Sequence, residues 1–317
     1  MKILWLIHGY PPVHNAGAEF MAHAMNKMFL ARGHEVRVMF QAANYETEFE
    51  GVEVGDLRNN NLRESWVRWA DRIFTHLDCQ GYAADIARQK QKQLVVIVHN
   101  TYRDELYHPR FAQNWIILNT NWIKEEKKYE DFKSEKYHCT GSRKTIVVHP
   151  PVIEADYKVK PDGKYYTLVN MNENKGGKLF LEVAEEMPDI DFLGVTGSYA
   201  TQFTKKLPNL KIIPNVPDIK QALKKTKCLM CLSTYESFGR AGLEAMVSGI
   251  PVISTRTKGT LEAYGDAALF TDRNVPSIIE AIETMEKEHS KWSKLARKQY
   301  ESWDFDKEID ELLIWLQ

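Results

Sequence analysis

Apolar positions along the chain alternate between two rhythms. Short, nearly continuous apolar runs at residues 3–7, 35–40, 72–76, 94–98, 115–118 and 145–148 read as buried strands. Between several of them the spacing lengthens to three and four. Met21, Met25, Met28 and Phe29 mark one helix face over residues 18–31, stopped by Gly33, and further helices are expected near 62–69, 82–90 and 122–129. Strand, helix, strand in this order predicts a parallel sheet covered on both faces. Pro150-Pro151 and the polar stretch 154–164 interrupt the rhythm. A second series then starts, with strands at 166–169, 191–195, 211–213, 228–232, 251–254 and 268–270, and helices near 178–187, 219–224, 240–247 and 276–286. The expected architecture is α/β: two Rossmann-like, doubly wound parallel-sheet domains, 1–150 and 151–300, facing an interdomain cleft. In such sheets ligands bind outside the carboxyl ends of strands. Residues 301–317 form a last helix, with Phe305, Ile309, Leu312, Leu313 and Leu316 at helical spacing.

A length of 317 residues suits two such domains. Lys and Arg number 42 against 43 Asp and Glu, a net charge of −1, and neither half carries the basic excess that phosphate-backbone binding would require. Bulk charge therefore gives nucleic-acid binding no support. The four cysteines are few and scattered, so no disulfide framework is implied. Cys228 and Cys231 form a C-x-x-C, but inside a strand residues three apart point to opposite faces and cannot share a metal. No run approaches the roughly 20 apolar residues of a membrane span. The opening run, with one Lys and no small-residue cleavage site, reads as a strand rather than a secretion signal, so a cytoplasmic location is expected. Leu62, Trp66 and Trp69 share one face of a helix. That face could pack on its own sheet or serve as a peripheral membrane or acceptor contact, and the sequence leaves both open.

The signatures of dinucleotide binding, P-loop kinases, α/β-hydrolases and zincins are all missing. The strongest positive signal is Tyr235-Glu236-Ser237-Phe238-Gly239-Arg240-Ala241-Gly242-Leu243-Glu244-Ala245-Met246. It leaves a buried strand, turns and enters a helix, with Glu236 and Glu244 bracketing the turn. A helix starting near Phe238 would present free N–H groups to an anion. Two carboxylates beside it could accept hydrogen bonds from hydroxyls, a combination suited to a phosphorylated sugar. Taken alone, a capping Glu236 and a solvated Glu244 would explain the pair as well.

This segment resembles the E-x7-E motif of family 4 retaining glycosyltransferases of the GT-B fold. Tyr10-Pro11-Pro12 with Gly17-Ala18-Glu19, Arg32-Gly33-His34-Glu35-Val36, His149-Pro150-Pro151-Val152, Gly249-Ile250-Pro251-Val252-Ile253 and Gly265-Asp266-Ala267-Ala268 are similar to other parts of that family. The resemblance implies that Glu236 contacts the donor sugar, helped by the amides of Phe238 and Gly239, while Glu244 takes the ribose hydroxyls. Lys175 would hold the pyrophosphate. The family's partner arginine is replaced by Asn170, with Arg240 close in sequence. Amides near Gly17, Thr260 and Leu261 would complete the phosphate cradle, and the backbone near Val216 would meet the base. His99, at the carboxyl end of its strand, would line the sugar pocket, although the acid that often follows is Asn100 here.

The resemblance thus implies a retaining, metal-independent transferase using a nucleotide-sugar as substrate, with no cofactor and no metal site. Its acceptor is open among a glycan, a lipid-linked sugar, a protein and a small molecule, and no nucleic acid is expected as partner. The last helix would cross back onto the N-terminal domain as a hinge element. Two alternatives remain beside this reading: an inactive GT-B-like nucleotide-sugar-binding protein, and a nucleotide-sugar epimerase.

Overall fold

The structure is a computed structural model and describes residues 1–42, 45–101, 115–126, 144–216 and 218–317. It divides into two compact units. One comprises Met1–His14, Ala18–Pro151 and Phe305–Gln317; the other comprises Asn15–Gly17 with Val152–Asp304.

The first unit opens with β1 (Lys2–Leu6), α1 (Gly17–Ala31), β2 (Glu35–Phe40), β3 (Thr47–Phe49) and β4 (Val52–Asp56). There follow α2 (Asn60–Trp69), β5 (Arg72–His76), α3 (Gln80–Gln89), β6 (Gln93–Val98), β7 (Trp115–Leu118), α4 (Asn121–Glu125) and β8 (Lys144–Val147). The sheet order is β3-β4-β2-β1-β5-β6-β7-β8. Ile3, Leu4, Trp5 and Leu6 of β1 are fully buried, as a central strand covered on both faces must be. All described pairings are parallel except β3 with β4. That hairpin was not anticipated, because β3 (Thr-Glu-Phe) is a short edge strand whose first two residues are exposed and show no apolar run.

Asn59 caps α2, its side chain accepting from the Leu62 amide at 3.1 Å. Trp66 and Val67 of α2 join the core with Leu4, Leu6 and Ile73, and Arg37 stacks 4.2 Å from the Trp69 ring. The tryptophan face therefore packs on its own sheet instead of being offered to a membrane surface. Among the described residues no helix is long and apolar enough to cross a membrane. The expected helix at 122–129 is seen only as α4, since its last three positions fall outside the described residues.

The second unit runs α5 (Glu154–Tyr157), β9 (Tyr165–Val169), α6 (Gly177–Glu186), β10 (Phe192–Val195), β11 (Leu210–Ile213), α7 (Lys220–Leu223) and β12 (Thr226–Cys231). It ends with α8 (Arg240–Met246), β13 (Val252–Thr255), α9 (Lys258–Tyr264), β14 (Leu269–Thr271) and α10 (Val275–Glu301). Its sheet, β11-β10-β9-β12-β13-β14, is parallel throughout. Tyr166, Phe180, Phe192, Met230 and Ile282 centre its core. α10 continues well past the expected end, bending at Glu288 (φ −116°, ψ 17°). The charged stretch that masked this continuation still carries Trp292, packed against the core, and the buried Ala296.

The final helix, α11 (Phe305–Trp315), belongs to the first unit. Arg32 bridges Asp306 at 2.8 Å and Asp310 at 2.5 Å. The amide and imidazole of His149 both reach Glu308 at 2.8 Å. These anchors hold α11 against α1 and the end of β8.

Candidate functional site

The strand order reverses once in each sheet, and the loops at that reversal open the crevice where ligands of doubly wound sheets sit. In the second unit the reversal lies between β9 and β12. The loop after β9 delivers Lys175 and the loop after β12 delivers Glu236, and their side chains form an ion pair. The two side chains are 24% and 13% exposed, so the pair is sheltered yet open at one edge. Ser233 donates to the same carboxylate oxygen at 2.7 Å. Burial alone would lower the Lys175 pKa, but the adjacent carboxylate overrides it and raises it. Lys175 is a fixed positive charge.

Local sequence explains how Lys175 is placed. The Asn172 side chain accepts from the Lys175 amide at 2.9 Å. Gly176 follows at φ +88°, the left-handed region. A Cβ on Gly177 would stand 2.0 Å from the Met171 carbonyl oxygen. Only the glycine pair lets α6 start so close to the strand end. At the other loop, a Cβ on Gly259 would lie 2.3 Å from the Glu236 carbonyl oxygen, so the start of α9 rests directly on the Glu236–Ser237 backbone.

Asn170 directly follows β9 with φ +70°, a conformation asparagine tolerates better than arginine. Its Oδ1 accepts from Gln202 Nε2 at 3.0 Å, and Gln202 Oε1 in turn accepts from the amides of Met171 and Gly197 at 2.8 and 2.7 Å. The residue at the family's arginine position is thus folded into a loop clamp. Gln202 carried no sequence signal.

Beyond Glu236 the helix α8 begins at Arg240, where the apolar pattern placed it, with Gly239 as its N-cap at φ +81°. The Phe238 side chain is buried in a T-shaped contact with Trp303, centroids 5.2 Å apart, which leaves only its backbone for a ligand. Arg240 points inward. Its Nε donates to Glu244 at 2.8 Å and its Nη2 to the buried Tyr157 hydroxyl at 2.8 Å. Arg240 therefore orients Glu244 and does not take the place of the missing arginine. Glu244 keeps 14% exposure and the carboxylate capacity to accept from a ligand hydroxyl.

A correction concerns Thr260 and Leu261. The Thr260 amide donates to Thr257 Oγ1 at 3.2 Å in a capping box, and the Leu261 amide donates to the Thr257 carbonyl at 3.0 Å. Both amides are spent inside the first turn of α9 and do not cradle phosphate. Val216 lies in the loop after β11, half-buried. Two Asp-x-Asp triplets occur, at 189–191 and 304–306. The first stands at the amino end of β10, with Asp191 paired to Lys164 at 2.7 Å, on the wrong end of the strand for the crevice. Cys228 and Cys231 are both buried and free of disulfide; Cys228 sits in the core, and Cys231 meets the Tyr264 hydroxyl at 3.3 Å.

In the first unit the reversal lies between β1 and β5. His99, just past β6, is buried, and its Nε2 lies 2.9 Å from His76 Nδ1 at the end of β5. Burial brings the His99 pKa down to about 4 and takes that of His76 well below the usual value. Both rings are neutral at pH 7, one donating to the other. His76 was not singled out from the sequence, because only the strand order brings it beside His99. Gly17 opens α1, and a Cβ there would meet no atom within 4 Å.

Comparison with known proteins bears first on the second unit. Residues 160–302 match the family model described as "Glycosyl transferases group 1". The second unit thus resembles a glycosyltransferase domain. Among solved structures, a sucrose-phosphate synthase from Thermosynechococcus elongatus superposes with TM-score 0.74 at 15% identity, covering 98% of this chain and 96% of that one. The Anabaena protein Alr3699/HepE, in a complex with UDP-glucose, superposes with TM-score 0.73 at 16% identity over 99% of both chains. The catalytic domain of starch synthase IV from Arabidopsis thaliana, bound to ADP and acarbose, gives 0.69 at 10% identity over 99% and 98%. No curated protein matches by sequence. The structural likeness establishes a GT-B fold for the chain, whose two parallel-sheet units carry sheets of 8 and 6 strands.

Proposed function

We propose that the chain moves a sugar from a nucleotide-sugar donor to an acceptor with retention of configuration, and without a metal on the donor diphosphate. The observation that carries this reading is the Lys175–Glu236 pair at the strand-order reversal of the second unit. A fixed ammonium beside a carboxylate gives the leaving diphosphate a counter-charge and the sugar a hydroxyl acceptor within one small site. Lys175 stabilises the charge that grows on the diphosphate as the bond from the sugar's anomeric carbon to phosphate oxygen breaks. The acceptor oxygen bonds to that carbon from the same face and its proton passes to the departing phosphate oxygen. Glu236 holds Lys175 and accepts from the sugar, while Glu244, braced by Arg240, accepts from the ribose. The loop clamp on Asn170 removes one charge from diphosphate recognition, which leaves the pull on the leaving group to Lys175 and backbone donors. His99 keeps the sugar-contacting role that the resemblance gives it. The HepE structure holds UDP-glucose and the starch synthase structure ADP, so UDP- and ADP-sugars lead the donor panel.

The test is nucleotide release from UDP-, ADP- and GDP-sugars in EDTA, comparing wild type with Glu236→Gln. Release from one donor, lost in the variant, supports the transferase. Nucleotide binding without release from any donor, with and without a panel of acceptors, overturns it in favour of a binding protein. A changed sugar still joined to its nucleotide overturns it in favour of an epimerase.

A further inference from the structure

A second polar cluster stands at the other strand-order reversal, and the donor chemistry makes no use of it. His8 leaves β1, His14 sits in the loop that follows, and Glu19 lies in the first turn of α1. The ligating atoms of all three lie within 4.8 Å of one another. Glu19 is 1% exposed, while the imidazoles of His8 and His14 are 24% and 32% exposed. A carboxylate is thus buried behind two rings that face outward. His8 Nε2 is 3.0 Å and His14 Nδ1 3.4 Å from the same oxygen, Glu19 Oε1.

Neither Glu19 oxygen has a partner in hydrogen-bond geometry, and nor does His14 Nδ1. The atoms are near enough to attract but are not aimed along one another's lone pairs. Atoms that converge on a shared centre behave in this way. For a tetrahedral ion with bonds of about 2.0–2.1 Å, neighbouring ligand atoms are about 3.3 Å apart, and the two measured separations bracket that edge.

The loop is built to bring His14 in. A Cβ on Gly9 would lie 2.9 Å from His14 Cβ, Cγ and Nδ1, so only glycine leaves room for the ring. The buried Tyr10 hydroxyl meets His23 Nδ1 at 2.7 Å and accepts from Asn26 at 3.1 Å, tying the loop to α1. The His14 amide donates to the Tyr10 carbonyl at 3.0 Å.

We propose that His8 Nε2, His14 Nδ1 and a Glu19 carboxylate oxygen form a binding site for one zinc-like divalent transition-metal ion, with its fourth position open. Two imidazoles and a carboxylate suit this class of ion and disfavour magnesium or calcium, which prefer all-oxygen sets. The inference does not rest on the donor reading and is compatible with metal-free donor chemistry in the second unit.

The test uses the full chain without an affinity tag, stripped with chelator and titrated with Co²⁺. Wild type is expected to take up one equivalent with the visible bands of tetrahedral cobalt, displaced by Zn²⁺ and not by Mg²⁺. His14→Ala, in a partly exposed loop, abolishes the bands. Gly9→Ala, which keeps all three ligands but displaces the ring, weakens affinity roughly 10–100-fold, as loss of supporting structure around metal ligands does. Glu19→Gln is read beside a melting curve, since it alters a buried group. Absence of stoichiometric uptake by wild type, or equal uptake by His14→Ala, overturns the proposal. Neither result touches nucleotide release in EDTA.

Discussion

Lys175→Met separates the two tasks assigned to this ammonium. In the folded chain its partner Glu236 is 13% exposed and keeps Ser233 as a further donor. Breaking a fully buried pair costs about 3–5 kcal/mol. With one edge open to water, the cost here is about 2 kcal/mol, read as a lower urea midpoint with unchanged slope. Adding Glu236→Gln removes the stranded charge, so the double variant should regain most of that loss instead of adding to it.

On the ligand side, a charged hydrogen bond to diphosphate contributes about 1.5–3 kcal/mol. Because Lys175 already has a carboxylate partner, the lower end applies, about tenfold in Kd. Calorimetry should show the nucleoside diphosphate weakened by about tenfold in Lys175→Met and the monophosphate changed by less than about threefold. Equal weakening of both nucleotides, or an unaltered diphosphate Kd, would refute the placement of Lys175 on the leaving group. Additive destabilisation in the double variant would refute the coupling of the pair.

Glu236→Gln should cut donor turnover by about 100-fold while nucleotide affinity stays nearly constant, as removal of a group acting mainly in the transition state does; parallel kinetics and calorimetry check it. Gly259→Ala forces a Cβ against the Glu236 carbonyl oxygen 2.3 Å away, and overpacking of this kind should cost about 1–3 kcal/mol of stability in a urea melt and disturb release. Arg240→Leu strands Glu244 and the Tyr157 hydroxyl, and a drop of about 3–5 kcal/mol is expected in the same assay; a drop under about 1 kcal/mol would mean the buried guanidinium does not brace Glu244. Between pH 6.5 and about 4 the unfolded chain binds a proton at His99 that the folded chain refuses. Stability therefore falls as pH falls through that window, by up to about 3 kcal/mol. His99→Asn should flatten the fall between pH 7 and 5, whereas His14, raised by Glu19, contributes with the opposite sign above pH 6.5.

The parts legible in the sequence were those whose physics is local. A run such as Ile3–Ile7 has one reading, a strand buried on both faces, and the turn at 235–246 carries its own carboxylates, glycine and helix. The edge hairpin β3–β4 escaped because an edge strand of three residues, the first two exposed, offers no continuous apolar signal. The amides of Thr260 and Leu261 were misassigned because Thr257 and Thr260 form a capping box with threonine where glutamate or glutamine is usual. His76, His99, His8 and Glu19 are spread over ninety residues. Each alone looks like an isolated polar residue beside a strand or helix, and only the neighbouring of β1, β5 and β6 makes them one neighbourhood.

Both sheets place a sheltered carboxylate at their strand-order reversal, and the cations beside it decide what each can do. Glu236 faces a lysine whose ammonium has no lone pair to offer, so that site can only exchange its internal partner for another anion, such as a phosphate. Glu19 faces two imidazoles, which either carry a proton or release it and donate a lone pair. Burial holds Glu19 against ionisation, but the imidazoles of His14 and His8 outweigh it and keep its pKa far below the usual carboxylate range. A carboxylate already ionised costs a metal ion no work of deprotonation at Glu19, while His14, raised by the same carboxylate, must give up its proton to bind. Cobalt affinity should consequently fall as pH drops, starting above 6.5 where His14 takes up its proton, since the carboxylate stays charged throughout. A slope centred on the carboxylate range instead would show that Glu19 titrates normally and that the cluster is not the site.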